Sequence, residues 1–237
     1  MGNAGLSRRA LLRGGVGAAA GLALVPSGGG MALAAQRELY RGRQGEDVRS
    51  LQKTLAAKGY WCGTADGDFG ELTQQGVWAV QKQNGLVRDA IVGPLTRSAL
   101  ANGALPKPVG GAGTRIEVHL RKQLLLVVRD GKTSLVLNTS TGNGEYYWLR
   151  GVRYRATTPT GTWKVYSTYS AGWQTGDLGR MWRPMYYNSG WAVHGSTSIP
   201  PYPASHGCSR LSTRAMDMLW STRTMQKGTT VKVATGA

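Results

Sequence analysis

The sequence predicts an α+β chain of two unequal parts, a small three-helix unit followed by a β-rich domain of sandwiched or mixed sheet with few helices. Three observations carry this expectation. Residues 37–102 place apolar side chains at helical spacing, residues 103–113 hold glycine and proline with no periodicity, and from Thr114 the apolar period shortens to two. At 237 residues and 41% hydrophobic content, the chain is long enough for one ordinary core and a small one.

Residues 1–34 read as a targeting segment rather than as fold. Ser7-Arg8-Arg9-Ala10-Leu11-Leu12 sets a twin arginine before an apolar, Gly/Ala-rich run, and Ala32-Leu33-Ala34 offers an A-x-A cleavage site. Pro26 and Gly28-Gly29-Gly30 break the run short of the ~20 apolar residues a membrane span needs. The expectation is a twin-arginine export signal cut near Ala34 or Ala35, which puts the folded protein in the periplasm or cell wall, on the outer side of a bacterial membrane. The formal net charge is +17, and Arg8, Arg9 and Arg13 belong to the signal, so the remainder keeps about +14. Such a charge draws a protein to polyanions. No nucleic-acid motif is present, so anionic envelope polymers are the expected company rather than nucleic acid.

In residues 37–102, Val48, Leu51 and Leu55 define a first helix that Gly59 ends. Thr73 is the expected cap of a second helix carrying Val77 and Val80 and closed by Gly85, and Thr96 starts a third. Asp66-x-x-x-Gly70-x-x-Thr73 recurs as Asp89-x-x-x-Gly93-x-x-Thr96, two turns that each feed a helix. Asp66 and Asp68 lack the remaining ligand positions of a calcium loop. Trp61 and Trp78 are the aromatic candidates for an exposed binding face.

Residues 103–113 are a linker, and residues 114–235 form the second domain. Arg115–Leu120 alternates, which puts His119 on the surface. Gln123–Val128 is a buried strand ending in the Asp130-Gly131 turn, and Thr133–Ser140 is its partner. A further strand covers Trp163–Tyr166. Ala171–Gly190 is either a folded surface loop or a lid whose Trp173, Trp182, Tyr186 and Tyr187 touch substrate. Trp191-Ala192-Val193 delivers His194 at a strand end. Ser212 caps a helix carrying Ala215, Met216, Leu219 and Trp220 that Gly228 stops, and Thr229–Val233 closes the sheet.

The chemistry concentrates between His194 and Arg210, which hold two of the three histidines and one of the two cysteines. Three prolines stiffen the spacer. A thiolate is the nucleophile in cysteine chemistry, and a nearby imidazole takes the thiol proton and returns it to a leaving amine. Gly207 permits a close backbone approach, so N–H groups around Cys208 are candidates for an oxyanion site. No Asp or Glu occurs from Leu178 through Met216, which excludes a local Cys-His-Asp triad. The base is then oriented by a backbone carbonyl, by the hydroxyl of Ser196 or Thr197, or by a distant acid. Arg180, Arg183, Arg210 and Arg214 favour the thiolate and attract a carboxylate. Zinc on His194, His206 and Cys208 is disfavoured by the one-residue spacing of the last two, so no metal is expected. Ser205 lacks the elbow of a serine hydrolase. A Cys62–Cys208 disulfide would block the nucleophile, and two free thiols are expected.

A histidine, a Gly/Pro-rich spacer and Ser205-His206-Gly207-Cys208 with Arg210 resemble the active-site motif of bacterial L,D-transpeptidases. Ser140-Thr141-Gly142 and Thr158-Pro159-Thr160-Gly161 extend the resemblance across the second domain. It implies Cys208 as nucleophile, His194 as proton acceptor and donor, and Ser205, His206 and Gly207 framing the oxyanion site. Arg210, at a position of that motif, and Ser196, Trp182 and Tyr187, read from the residues themselves, are the expected substrate contacts, and the resemblance implies no cofactor. The partners it implies are peptidoglycan stem peptides and glycan, with carbapenem-type β-lactams as inhibitors. Gly45-x-Asp47-Val48-x-x-Leu51-Gln52-x-x-Leu55, Gly59-Tyr60, Asp66-Gly67-x-Phe69-Gly70 and Gly93-Pro94-x-Thr96 resemble the three-helix peptidoglycan-binding domain. The expected activity is transfer of a stem-tetrapeptide acyl group from Cys208 to an amine. The alternatives are L,D-carboxypeptidase action at the same site and a non-catalytic wall-binding protein.

Overall fold

The structure, a computed structural model, describes residues 36–236, so the twin-arginine segment read at 1–34 lies outside the described residues. From Arg37 onward the chain forms one compact unit. Among the described residues three helices come first: α1 (Glu46–Ala57), α2 (Glu71–Gln83) and α3 (Pro94–Asn102). Val48, Leu51 and Leu55 of α1 are buried, and Gly59 follows its end at φ +77°, a left-handed turn that glycine adopts without strain.

The helix starts differ from expectation. α2 begins after Gly70 and α3 after Gly93, with neither helix capped by a threonine side chain. Thr73 and Thr96 instead lie inside the first turns, where two buried glutamines use them. Gln52 Nε2 donates to Asp66 Oδ1, the Asp68 carbonyl and Thr73 Oγ1, and Gln81 Nε2 donates to Asp89 Oδ1, the Ile91 carbonyl and Thr96 Oγ1. Each glutamine also accepts a backbone N–H, from Gly67 and Ala90 respectively. The internal echo is thus two copies of one turn, each filled by a glutamine that satisfies its polar groups.

The remainder is β-rich. Its strands are β1 (Arg115–His119), β2 (Leu124–Arg129), β3 (Lys132–Asn138), β4 (Tyr146–Leu149), β5 (Val152–Arg155) and β6 (Gly161–Lys164). They continue with β7 (Ser167–Thr168), β8 (Trp173–Gly176), β9 (Gly179–Asn188), β10 (Trp191–Ser196), β11 (Ser209–Ser212) and, after helix α4 (Thr213–Ser221), β12 (Thr230–Ala234). One sheet runs β3-β2-β1-β12-β6; a second runs β11-β10-β9-β7 with β8 also on β9; β4 and β5 form a separate hairpin. With four helices beside these sheets among the described residues, the architecture is the expected α+β arrangement.

The first sheet is a wall shared by two cores. Leu124, Leu126 and Val128 of β2 pack with Val136 into the helical core. Leu125 and Val127 point the other way, into a core with Met185, Val193 and Leu211 of the second sheet and Met216 of α4. Covering both faces accounts for the unbroken apolar run of β2, each side chain contributing roughly 1.5–3 kcal/mol.

Strand β1 is likewise buried on both faces, which corrects the reading of His119 as a surface residue: it is 1% exposed. Residues 109–113 fold back over Glu117 and Arg115, and the His119 ring turns in to bond Glu117 while Gly236 lies against it. The Glu117 carboxylate accepts from the Val109 and Gly110 N–H groups, from Arg115 and from His119. Burial pushes the Glu117 pKa up, but these bonds, that from His119 foremost, outweigh it and hold the carboxyl at about 2. Helix α4 is capped as expected, Ser212 Oγ accepting the Ala215 N–H at 3.1 Å. It stops at Ser221 rather than at Gly228, because Arg223 turns left-handed at φ +51°.

Candidate active site

His194 lies within β10, two residues before its end, and Cys208 immediately precedes β11. The two strands run parallel, with Val193 opposite Ser209 and His194 opposite Arg210. Both side chains line one cleft of about 470 Å³. Its walls are the β4–β5 hairpin, through Tyr147, Leu149 and Tyr154, and the tip of the β8–β9 hairpin, through Asp177, Leu178 and Arg180. An ion pair between Arg150 and Asp177 (2.8 Å) joins the two hairpin tips. Among the described residues, no group of three His, Cys, Asp or Glu side chains is gathered to hold a metal ion.

His194 is 5% exposed, and its Nδ1 lies 2.9 Å from the Gly195 carbonyl. A carbonyl only accepts, so Nδ1 carries the proton and Nε2 the lone pair. Of the three ways of orienting the base left open by the sequence, a backbone carbonyl is the one realised. The Ser196 hydroxyl is engaged with Ser198 instead. Burial, opposed by the Gly195 bond and aided by the Arg210 charge, lowers the His194 pKa to about 4. The Cys208 thiol is raised by burial, against the Ala192 N–H and Arg210, which favour the thiolate. Its Sγ points to the Gly190 carbonyl at 3.6 Å. The resting pair is therefore a neutral thiol and a neutral imidazole.

The loop around Cys208 is fixed by short bonds. Ser205 Oγ donates to the Cys208 carbonyl (2.6 Å) and accepts the Gly207 N–H (3.0 Å). That occupies two groups expected at an oxyanion site. Among the described residues the N–H groups of His206 and Cys208 make no bond within the chain. Gly207 sits at φ +143°, and a Cβ there would lie 2.6 Å from Trp191 Nε1 and 2.8 Å from the Thr157 carbonyl. Thr158 Oγ1 holds the Gly207 carbonyl at 2.6 Å and accepts the Gly142 N–H. Ser140 pairs with Arg210 through both backbone groups, and the Thr141 carbonyl accepts the N–H groups of Ala204 and Ser205. The Ser-Thr-Gly and Thr-Pro-Thr-Gly motifs are the frame of this loop.

Other expected contacts divide. Arg210 and Ser196 line the cleft, and the exposed His206 ring meets Tyr147 edge-on with centroids 4.8 Å apart. Trp182 and Tyr187 do not line it. Trp182 Nε1 donates to Asp217 (2.8 Å) and its ring packs on Trp173, while Tyr187 is 2% exposed in the core against Trp163. The reason is that β9 is a central strand, so of residues 171–190 the cleft takes the hairpin tip, Met181, Tyr186 and Gly190. Trp61 and Trp78 are part-buried, each packed against one of the two cores and neither lining this cleft. Tyr147, Tyr154, Thr158 and the Arg150–Asp177 pair were not singled out as site residues by the sequence reading, although Thr158 stands in a motif it quoted. Both cysteines are free, with Cys62 buried, bonded to the Gln52 carbonyl and pushed up to about 11 by burial.

Fold and cleft together define a β-rich protein in which a thiol just before β11 and an imidazole on the adjacent strand β10 share one cleft. The sequence profile of the L,D-transpeptidase catalytic domain matches residues 113–233, and that of a putative peptidoglycan-binding domain matches residues 44–100. A solved L,D-transpeptidase (residues 123–326) from Xylanimonas cellulosilytica is 48% identical, with a TM-score of 0.81, covering 84% of this chain and 98% of that one. Similarity also extends to two N-acetylmuramoyl-L-alanine amidases: CwlL of Bacillus licheniformis, 43% identical over 65 residues (27% of this chain), and CwlM of Mycobacterium tuberculosis, 39% over 56 residues (24% of this chain). This chain covers only 18% and 14% of their lengths. The chain belongs to the L,D-transpeptidase family, with a peptidoglycan-binding domain before the catalytic one.

Proposed function

We propose that the protein is an exported peptidoglycan L,D-transpeptidase in which Cys208 carries the acyl group. The observation that supports this most is that His194 on β10 and Cys208, one residue before the neighbouring strand β11, line one cleft. His194 Nε2 takes the Sγ proton as sulfur attacks the carbonyl of the third stem residue. The N–H groups of His206 and Cys208 receive the developing oxyanion. The intermediate collapses to a thioester, and the imidazolium gives its proton to the departing D-alanine amine. An acceptor amine then attacks the thioester, loses a proton to His194 and leaves as the new amide, while that proton returns to Sγ.

Arg210 makes no ion pair with any described residue and lines the cleft, suiting it to a substrate carboxylate. The helical unit keeps the enzyme on the wall, and carbapenems acylate Cys208. The Arg8-Arg9 segment supports export to the periplasm or wall. Mass spectrometry of products from a tetrapeptide muropeptide tests the reaction. Crosslinked dimers are expected; tripeptides alone would assign L,D-carboxypeptidase action, and an unchanged substrate would leave a wall-binding protein.

A further inference from the structure

Lys82 is a buried cation that the acyl-transfer chemistry does not use. It lies on α2, is 3% exposed, and its Nζ donates to the carbonyls of Gln123 (2.9 Å) and Thr139 (3.0 Å) and to Asn138 Oδ1. Burial, and after it the Arg88 charge, pushes its pKa well down. Yet three acceptors surround the nitrogen, the coordination of an ammonium. Burying an ammonium costs several kcal/mol, so an apolar side chain would serve better if Lys82 only filled space.

Its acceptors lead to the nucleophile loop. Asn138 Nδ2 donates to Gln75 Oε1 and to the Ile199 carbonyl, and Gln75 Nε2 also reaches that carbonyl at 3.3 Å. Ile199 belongs to the proline spacer between His194 and Ser205. Thr139 Oγ1 donates to the Arg210 carbonyl at 2.8 Å, and the Ser140 carbonyl accepts the Arg210 N–H at 2.9 Å. The Thr141 carbonyl accepts the Ser205 N–H at 2.9 Å, and Gln123 holds Thr141 through both its amide atoms. Residues 138–141 are therefore gripped by α2 on one side and hold both shoulders of Cys208 on the other.

We infer that Lys82, with Gln75, is a positioning residue for Cys208, so that the wall-binding unit is a structural part of the active site and not only a tether. The inference rests on the acyl-transfer reading. It acts through residues 138–141, which set where Sγ and the oxyanion donors stand. Displacement of reacting groups by about 1 Å costs on the order of a hundredfold in rate.

The test uses the full chain as wild type, Lys82→Met, Gln75→Leu and Val80→Ala, with meropenem as the acylating probe. Val80 is a core residue of α2 outside the hydrogen-bond network and matches the loss of stability alone. In Lys82→Met the acylation rate constant is expected to fall at least about tenfold while apparent affinity changes less than about twofold. Hydrogen exchange at the Ser205 and Arg210 amides should quicken in that variant, and Val80→Ala should keep the wild-type rate. Gln75→Leu leaves Lys82 and its acceptors in place and should move the same way, which covers a Lys82→Met protein that fails to fold. A folded Lys82→Met or Gln75→Leu protein acylated at the wild-type rate overturns the inference, as does an equal loss in Val80→Ala. Wild type that takes no acyl group at Cys208 overturns the acyl-transfer reading and this inference with it.

Discussion

Lowering the pH from 7.5 to 5 should leave acylation of Cys208 almost untouched. A general base must be unprotonated, so the acid limb of the rate follows His194 in the free enzyme. Burial and the Arg210 charge hold that imidazole at about 4 instead of 6.5, a difference of roughly 3 kcal/mol in favour of the neutral ring. At pH 5 such a group is still ~90% neutral, whereas an unperturbed histidine would be only ~3% neutral and the rate some ~30-fold lower. The assay is the second-order rate of acylation by a carbapenem across pH 3.5–8, at constant ionic strength. The expected profile is flat to about pH 5 with a midpoint near 4. Arg210→Gln should move that midpoint upward, because a charge that disfavours the imidazolium is removed. A wild-type midpoint near 6.5 would refute the reasoning, since it would mean the imidazole is solvated or is not the base.

Further predictions concern the frame of the site. Glu117→Gln should lose stability in a pH-dependent way: the carboxylate's contribution, about 3 kcal/mol, is present above its unfolded pKa of 4.5 and is lost as pH falls towards about 2. The gap between wild type and variant in urea unfolding should narrow by about 2 kcal/mol from pH 7 to pH 3, and a constant gap would contradict the assignment. Gly207→Ala should slow acylation at least about tenfold and cost about 1–3 kcal/mol, because its Cβ would collide with the Thr157 carbonyl and Trp191. Loss of the Trp191–Thr157 bond, at 3.0 Å in the native protein, should register in Trp fluorescence. Arg150→Ala should change stability by less than about 1 kcal/mol, since both partners are well exposed, yet speed hydrogen exchange at the Gly176–Gly179 tip. Unchanged exchange there would show that the ion pair does not hold the two hairpins together.

How far the sequence reached depended on how local the signal was. Ser212 as a helix cap, Gly59 and Gly85 as helix ends and the Asp130-Gly131 turn all rest on a few adjacent residues, and all appear in the structure. The placement of His194 and Cys208 in one cleft was readable because the motif carrying them is continuous in sequence. What failed was non-local. His119 looked exposed because β1 alternates, and nothing in five residues shows that the segment before it folds back to bury Glu117 and Arg115. Trp182 and Tyr187 looked like lid residues because aromatic density resembles a binding loop, until sheet topology made β9 a central strand. The doubled turn was visible as an Asp-Gly-Thr echo, but its reason, two glutamines buried from other elements, was not. Lys82 gave no signal at all, since a lysine in an amphipathic helix ordinarily faces water.

The central claim is that one sulfur atom carries the acyl group, and intact-mass measurement after exposure to a carbapenem tests it most directly. Wild type should gain the mass of one opened β-lactam, mapped by peptide digestion to Cys208, with buried Cys62 unmodified, and Cys208→Ala should gain nothing. An adduct that persists in Cys208→Ala, or a wild-type protein that stays unmodified, would contradict the account.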